Sequence, residues 1–402
     1  MGWKSWLGLA PSRDEFARDL MRYAARRGAP GWTYDPAEAV LFHAGQNRKF
    51  YVNNSWLEYR GARRAARPLL IEKYMSLMLD DAPEVPQLWD FAAKSLYCCL
   101  RSRYQLLTTE IESRGAAPPF VRPLTMPWIA DLEIVLMYDF GPYLAQVLPS
   151  TAEVWGQRRE ALFARAQANL TALPRPRWEP VGDGVFKIVS DVSYEESFVL
   201  VDAVVAALDV QGDPVVVVPN RGILLATGSD MPAGLARLLA EARRSLQERP
   251  WPMSAALLRR VAGRWERFAA GPALASGVRA FELLSLAGTY SDQQEALQKH
   301  LEKKGVDVYV AKFSVMNARD GSNNVHSWCV WSEGVPSLLP QTDVVILRRN
   351  DESQEPVIVP WAAVERLCGP YMRRTEDEPP RFGVDAFPAA EWGQIVSAGQ
   401  PL

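Results

Sequence analysis

The sequence predicts an α+β fold, with mostly antiparallel sheets, flanking helices and two or three modules. Signals that start helices are interspersed with short apolar strands along the whole chain. Neighbouring strands are often joined by short turns, as in the predicted hairpin of residues 39–54, which favours antiparallel pairing over a doubly wound parallel sheet. A chain of 402 residues with 48% hydrophobic residues is long enough for more than one core.

Helix starts are marked by capping boxes, in which Ser and a Glu or Gln three residues later satisfy each other's backbone N–H groups. The spacing occurs at Ser12–Glu15, Ser150–Glu153, Ser193–Glu196 and Ser291–Gln294. Asp230 followed by Pro232 predicts a further helix, and Gly305 ends the helix that begins near Asp292. In "LLRRVAGRWERF", Leu257, Val261, Trp265 and Phe268 recur at helical spacing, so this segment is also predicted to be a helix.

Strands are predicted where short apolar runs rich in β-branched residues lie between turn residues. These runs are residues 39–44, 49–54, 132–140, 184–190, 214–219, 222–228, 306–316, 325–331, 343–349 and 356–361. Pro-rich connections at 173–180 and 269–277 predict the module limits. The predicted modules are residues 1–175, 176–275 and 285–402.

The bulk composition excludes several classes of protein. A net charge of −2 gives no global attraction to nucleic acid or membrane. No apolar window approaches the ~18 residues of a membrane-spanning helix. The four cysteines form no CxxC pair, which favours a reducing, cytoplasmic compartment. The first residues are too short a run for a signal peptide; a packed or frayed terminus is favoured, with an interfacial anchor through Trp3, Trp6 and Leu7 as the alternative.

Three segments carry a family resemblance. "SLYCCLRSRY" (95–104), "ADLEIVLMYDFGPYLAQVLPSTAEVWG" (130–156) and "PVVVVPNRGILLATGSDMPAGLARLLAEA" (214–242) resemble successive segments of the YtpQ-like bacterial family. The resemblance covers roughly residues 12–270, and the region after about residue 285 departs from it. It implies a cytosolic bacterial protein of α+β fold, and it supplies no catalytic residues because the family has no assigned function.

A nucleophilic site is the first catalytic possibility, at His326, Cys329 and Asp343. In a regular strand, side chains alternate between faces, so His326 and Cys329 fall on opposite sides and form no local dyad. Cys329 is therefore predicted to be a small buried residue, and Asp343 to fix the turn that enters the next strand.

Metal, cofactor and redox sites find no support in the sequence. The histidines lie on separate elements without ligand spacing, so no metal site is predicted. Phosphate-binding and dinucleotide-binding glycine motifs are absent, and no cofactor is predicted. The "DFG" at 139–141 stands without the other kinase motifs and is interpreted as the end of a strand. Adjacent Cys98 and Cys99 are predicted to be buried. No catalytic residue is assigned, which favours a protein that is not an enzyme.

Candidate binding residues come from turns and strand ends, where polar groups of binding sites are commonly found. They are Arg101, Arg103, Asp139, Asn220 and Arg221. The alternative for each is ordinary turn chemistry or a surface ion pair.

Two arginine clusters add a further possibility. Arginines with interleaved aromatic residues are typical of sites that bind phosphate backbones. The clusters are Arg60, Arg63, Arg64 and Arg67, and Arg259, Arg260, Arg264 and Arg267.

The sequence therefore predicts a non-enzymatic cytosolic interaction or adaptor protein that binds protein partners through its α+β modules. Two alternatives stay open. One is an unrecognised enzyme, a hydrolase or a nucleotide-handling one, and the other is an arginine-mediated nucleic-acid binder.

Overall fold

The computed structural model describes residues 11–37, 39–46, 48–80, 84–115, 119–141, 143–317, 324–351, 353 and 355–399. The described residues form five sheets, mostly antiparallel and flanked by helices, which confirms the predicted α+β class. None of the described helices is both long and apolar enough to cross a membrane. The expectations for the first ten residues lie outside the described part of the chain.

The N-terminal layer consists of three helices and one small sheet. Its elements are α1 (Arg13–Arg26), β1 (Trp32–Asp35), β2 (Val40–His43), β3 (Arg48–Tyr51), α2 (Val52–Gly61) and α3 (Arg67–Leu79). Strands β1, β2 and β3 pair antiparallel in chain order, which confirms the predicted hairpin. Phe16 and Leu20 of α1 pack with Tyr74 and Met75 of α3 in a core of their own.

The second sheet is built on two long buried strands. The elements of this part are α4 (Trp89–Ala92), β4 (Leu96–Ser102), α5 (Arg103–Glu112), β5 (Thr125–Pro127), β6 (Leu132–Asp139), β7 (Leu144–Gln146), α6 (Pro149–Val154) and α7 (Arg159–Ala172). Strand β6 pairs antiparallel with β4, β5 and β7. Its residues are buried from Leu132 to Tyr138, which explains why, apart from Glu133, the strand is apolar on both faces.

The third sheet has six antiparallel strands in the order β13-β12-β10-β11-β9-β8. The elements of this part are β8 (Arg177–Gly182), β9 (Val185–Val189), a 3₁₀ segment (Glu195–Leu200), α8 (Asp202–Ala206), β10 (Pro214–Val217), β11 (Leu225–Gly228), α9 (Pro232–Glu248), β12 (Leu258–Val261) and β13 (Arg264–Arg267). One face, with Val216 and Ala226, shares a core with the second sheet. The other, with Val215 and Val217, packs against α9.

The C-terminal part begins with the long helix α10 (Pro272–Lys303) and contains two four-stranded sheets. Its other elements are β14 (Tyr309–Val310), β15 (Ser314–Asn317), β16 (Val325–Ser332), β17 (Ser337–Pro340), β18 (Val344–Arg348), β19 (Val357–Pro360), α11 (Trp361–Cys368), β20 (Arg373–Arg374), β21 (Arg381–Val384) and α12 (Trp392–Ser397). The orders are β14-β17-β21-β20 and β15-β16-β18-β19, with parallel pairs at β14–β17 and β16–β18.

The predicted module limits stay predictions, and two features of the core bear on them. The core shared by the second and third sheets runs across residues 173–180. Helix α10 runs through residues 275–285, with Phe281 in the core under α9 and Leu297 packed with Ile111 of α5.

Only one of the four predicted capping boxes is present. The Ser12 N–H donates to Glu15 Oε2 at 2.8 Å, and the Glu15 N–H donates to Ser12 Oγ at 3.3 Å. The helix near Ser150 begins with Pro149 and has Leu148 at its N-cap position, without a capping hydrogen bond from a side chain. Glu196 lies in the 3₁₀ segment, and Ser291 lies inside α10, so the predicted helix start near Asp292 is wrong. The predictions at Pro232 and Gly305 are confirmed.

The predicted helix at 257–268 is also wrong, because this segment is the β12–β13 hairpin. Val261 pairs with Arg264 across a two-residue turn in which Ala262 has φ +47° and Gly263 has φ +82°. Two positive φ values are the mark of a type I′ turn, whose twist matches that of the flanking strands. The helical spacing of the four apolar residues is thus a coincidence within the hairpin.

Replacing Ala262 with Asn distinguishes the hairpin from the helix, because the two structures predict changes in stability of opposite sign. Asn tolerates a positive φ better than Ala, so Ala262→Asn should stabilise the hairpin by about 0.5–1 kcal/mol. In a helix the same change would destabilise by roughly 0.5 kcal/mol, as is expected for the control Ala236→Asn on the exposed side of α9. Thermal unfolding of both variants measures the difference, and a loss of stability in both would contradict the hairpin.

Candidate functional site

The candidate site begins at the turn that joins β10 to β11. Asn220 is fully buried there, and its amide donates to the carbonyl oxygens of Arg249 at 3.2 Å and Pro250 at 3.1 Å. Its Oδ1 accepts a hydrogen bond from Ser245 Oγ at 2.8 Å. Asn220 therefore fixes the loop after α9 against the turn. The predicted site residue is a positioning group without a free polar atom to offer a ligand.

A buried ion pair lies beside this turn. Arg101 Nη1 donates to Glu196 Oε1 at 2.8 Å, and both side chains are more than nine-tenths buried. Glu196 Oε2 accepts the Gly222 N–H at 2.9 Å, and Arg101 Nη1 also donates to the Leu100 carbonyl at 2.7 Å. Arg101 is thus committed to internal contacts that join β4, the 3₁₀ segment and the β10–β11 turn.

Arg221 follows Asn220 in the same turn and is the unpaired cation of the site. Its guanidinium lies 5.1 Å from the centroid of the Trp251 ring. Within the described residues no ion pair or hydrogen bond reaches this guanidinium, and its Nε is buried without a partner. The Arg221 side chain is only partly buried overall. A cation held on an aromatic face with unused donors is suited to binding an anion.

The electrostatic surroundings of Arg221 are unfavourable to its charge. Burial first, and next the neighbouring Arg101 charge, lower the pKa of Arg221 to about 10, while Glu196 and Glu58 act in the opposite direction. The guanidinium stays protonated at neutral pH, because this value is still well above 7. An incoming anion would relieve the repulsion between the two arginines.

Trp251, whose ring lies against the Arg221 guanidinium, has an uncommon backbone conformation. Its φ is +56°, a region that costs energy for a bulky residue. The Trp251 carbonyl accepts the Arg221 N–H at 3.0 Å, which ties the loop to the turn. Lys73 of α3 lies 5.9 Å from the same ring and is paired with Glu58 at 2.9 Å. The N-terminal layer therefore borders the site.

A second group of positive charges surrounds Lys187 on strand β9. Burial and the charge of Arg249, with a smaller effect of Arg63, lower the pKa of Lys187. Glu195 and Glu179 oppose this shift. Arg249 belongs to the loop that carries Trp251, so positive charge is concentrated on both sides of that loop.

Asp139 is also occupied by internal contacts. The Gly141 N–H donates to its Oδ1 at 2.6 Å, and the Tyr194 hydroxyl donates to its Oδ2 at 2.5 Å. Burial, and next the hydrogen bond to Asp139, raise the pKa of Tyr194. Asp139 closes strand β6, which confirms the interpretation of "DFG" as a strand end.

Arg103 lies apart from the other candidates. It forms an ion pair with Glu378, and its Nε lies 3.9 Å from Glu133 Oε1. Arg114, in the turn that follows α5, pairs with Asp377 at 2.8 Å. These contacts tie α5 to the loop that precedes β21, so Arg103 joins distant parts of the chain.

The Cys329 segment has the predicted structural role. Strand β16 alternates, with Ser327, Cys329 and Trp331 buried and His326 on the other face. Asp343 Oδ2 accepts hydrogen bonds from the N–H and hydroxyl of Ser327, at 2.7 and 2.8 Å, while its Oδ1 lies 2.5 Å from Arg279. His326 and Cys329 therefore form no dyad, and Asp343 fixes the strand entry.

The second arginine cluster is mostly neutralised by carboxylates, with Arg259 paired to Glu266, Arg260 to Asp202, and Arg267 to Glu282. In the first cluster two members are stacked, Arg60 on Trp56 and Arg67 on Tyr59. Five of the eight guanidinium groups therefore have no carboxylate partner among the described residues, and Arg63, Arg64 and Arg264 are also exposed.

Of the five predicted site residues, the fold brings Arg101, Asn220 and Arg221 together, and Asp139 acts on the nearby Cys99 thiol. Sequence reasoning missed Trp251 and Glu196. The sequence "RPWPM" around Trp251 was the available signal, since a tryptophan between two prolines has a constrained backbone.

Comparisons with known proteins give no match, neither to a family model, nor to a curated protein, nor to a solved structure. The resemblance to the YtpQ-like family therefore stays a prediction, and the chemistry of the site rests on its own residues.

The thiols of this protein should be inert in the folded state. Burial raises the pKa of Cys98, Cys99 and Cys329 to about 12, and that of Cys368 to about 11. Thiolate is the reactive form, so at pH 8 fewer than one of the four thiols should react with Ellman's reagent within minutes. All four should react in guanidinium chloride. Fast reaction of one thiol in the folded protein would contradict this prediction, because it would show that this thiol has a low pKa and is a nucleophile.

Proposed function

We propose that this chain is a non-enzymatic interaction protein of the cytosol, and that the Arg221 site binds an acidic side chain of a protein partner. The observation that carries the proposal is the Arg221 guanidinium, which is stacked on Trp251 and lacks a carboxylate partner among the described residues. The four cysteines are unpaired thiols, which supports a reducing compartment.

A single carboxylate fits this site better than a chain of phosphates. The guanidinium fork matches a carboxylate in two parallel hydrogen bonds. Arg101 is used internally by Glu196, so one cation, Arg221, is left to the ligand at this turn. Binding to a nucleic-acid backbone draws instead on several accessible cations.

The enzymatic alternative has less support from the site. The thiol nearest the two arginines, Cys99, is fully buried, and burial raises its pKa to about 12. The acids there, Glu196 and Asp139, each accept hydrogen bonds that hold them in place. Glu196 also accepts the Gly222 N–H and so helps to position the turn that carries Arg221, which supports a binding role.

The test uses a fluorescent oligo-glutamate peptide as a model of the acidic segment. Its binding to the protein is measured by fluorescence anisotropy at low salt. Arg221→Gln should weaken binding by at least about tenfold, because a charge-assisted hydrogen bond contributes about 1.5–3 kcal/mol. Arg221→Lys should retain part of the affinity, since it keeps the charge and loses the fork.

Two controls make the result specific. Arg243→Gln, on the exposed side of α9, removes the same charge elsewhere and should leave the affinity unchanged. An oligo-glutamine peptide of equal length should not bind. Equal binding by wild type and Arg221→Gln would overturn the proposal, and tighter binding of oligothymidylate than of the glutamate peptide would favour the nucleic-acid alternative.

A further inference from the structure

A cleft of about 480 Å³ lies in the N-terminal layer, between one side of α1 and the loop that leads into β1. Its lining includes Met21 and Arg22 of α1 and Pro30, Gly31 and Trp32 of the loop and strand. The volume is within the range of about 300–1,000 Å³ that is usual for small-molecule sites. This cleft shares no residue with the Arg221 site.

Two buried ring nitrogens beside the cleft have no hydrogen-bond partner. Trp32 lines the cleft and is 7% exposed, and its Nε1 is unpaired within the described chain. The neighbouring His43 ring lies 5.3 Å from it, edge to face. His43 Nε2 lies 2.9 Å from the Pro30 carbonyl oxygen, which assigns the ring proton to Nε2 and leaves Nδ1 as an acceptor. That Nδ1 is buried and also unpaired in the described residues.

Cationic groups border the cleft on the helix side. Arg18 and Arg22 are one turn apart on α1 and both line the cleft. Arg22 pairs with Asp19, whereas Arg18 is exposed and makes no ion pair with any described residue. Met21, Pro30 and the Trp32 ring offer an apolar surface next to this charge. The cleft thus combines an apolar wall with a positive charge that has no carboxylate partner among the described residues.

We propose that this cleft binds a small planar aromatic acid. The aromatic ring packs on Met21, Pro30 and Trp32, and the carboxylate receives a charge-assisted hydrogen bond from Arg18. A neutral aromatic compound would fill the same apolar surface and leave the arginine charge unused, so charge is the discriminating feature.

The test measures the binding of naphthoate and of its neutral analogue naphthamide to the full chain by isothermal titration calorimetry. Naphthoate should bind at least about tenfold more tightly than naphthamide, the factor expected for one charged hydrogen bond. Arg18→Gln should abolish this difference. Trp32→Phe, which keeps an aromatic ring in the apolar wall, should leave the ratio of the two affinities unchanged.

Arg26→Gln is the matched control, because Arg26 lies on the same helix outside the cleft lining, near the ring of Tyr23. It should leave naphthoate binding unchanged. Arg18 is exposed, so Arg18→Gln should keep the fold, and circular dichroism verifies this. The comparison of the two ligands in Arg18→Gln therefore tests the proposal even if Trp32→Phe does not fold. Equal affinities for the two ligands, no heat with naphthoate, or equal losses in Arg18→Gln and Arg26→Gln would each overturn the proposal.

Discussion

The buried Arg101–Glu196 ion pair is the interaction on which the arrangement of the site depends. It joins a strand of the second sheet to a segment 95 residues further along the chain. Glu196 then reaches the β10–β11 turn through Gly222 N–H, while Ser197 Oγ accepts the Leu100 N–H at 3.1 Å. A buried pair of this kind is costly to break, since removal of one partner leaves a bare charge in a core and destabilises by about 3–5 kcal/mol. The two sheets are therefore held in one relative position at this point.

The position of Arg221 is a consequence of that constraint. The turn that Glu196 fixes carries Arg221 next to Arg101, and Asn220 fixes the loop that supplies Trp251. Glu196 is engaged by Arg101, so the second guanidinium has no carboxylate of its own in the described chain. An uncompensated cation lowers stability, and residues of this kind are retained where binding requires them. The positive φ of Trp251 is a second unfavourable feature at the same place.

The fold class and many strands could be predicted because side-chain periodicity is a local property. The alternation in β16 correctly separated His326 from Cys329. The failures also have local causes. In 257–268, the apolar residues of a hairpin coincide with helical spacing, and the Ala262–Gly263 turn was the signal to weigh. Ser291 resembles an N-cap, although the pattern continues from Pro272 through one helix.

The candidate site could be predicted only in part, because its contacts are non-local. Polar residues in turns pointed to Asn220 and Arg221, and the sequence held no sign that Arg101 would pair with Glu196. Which arginine is neutralised depends on the packing of two sheets. The distinction between a structural arginine and a binding arginine therefore had to come from the fold.

That distinction is tested most directly by comparing Arg101→Met with Arg221→Met in urea unfolding, followed by tryptophan fluorescence. Arg101→Met leaves Glu196 buried without its cation and should destabilise by about 3–5 kcal/mol. Arg221→Met removes an unpaired charge and should change the stability by less than about 1 kcal/mol, or increase it. Equal and large destabilisation by both variants would contradict the account, because it would make Arg221 a structural residue like Arg101.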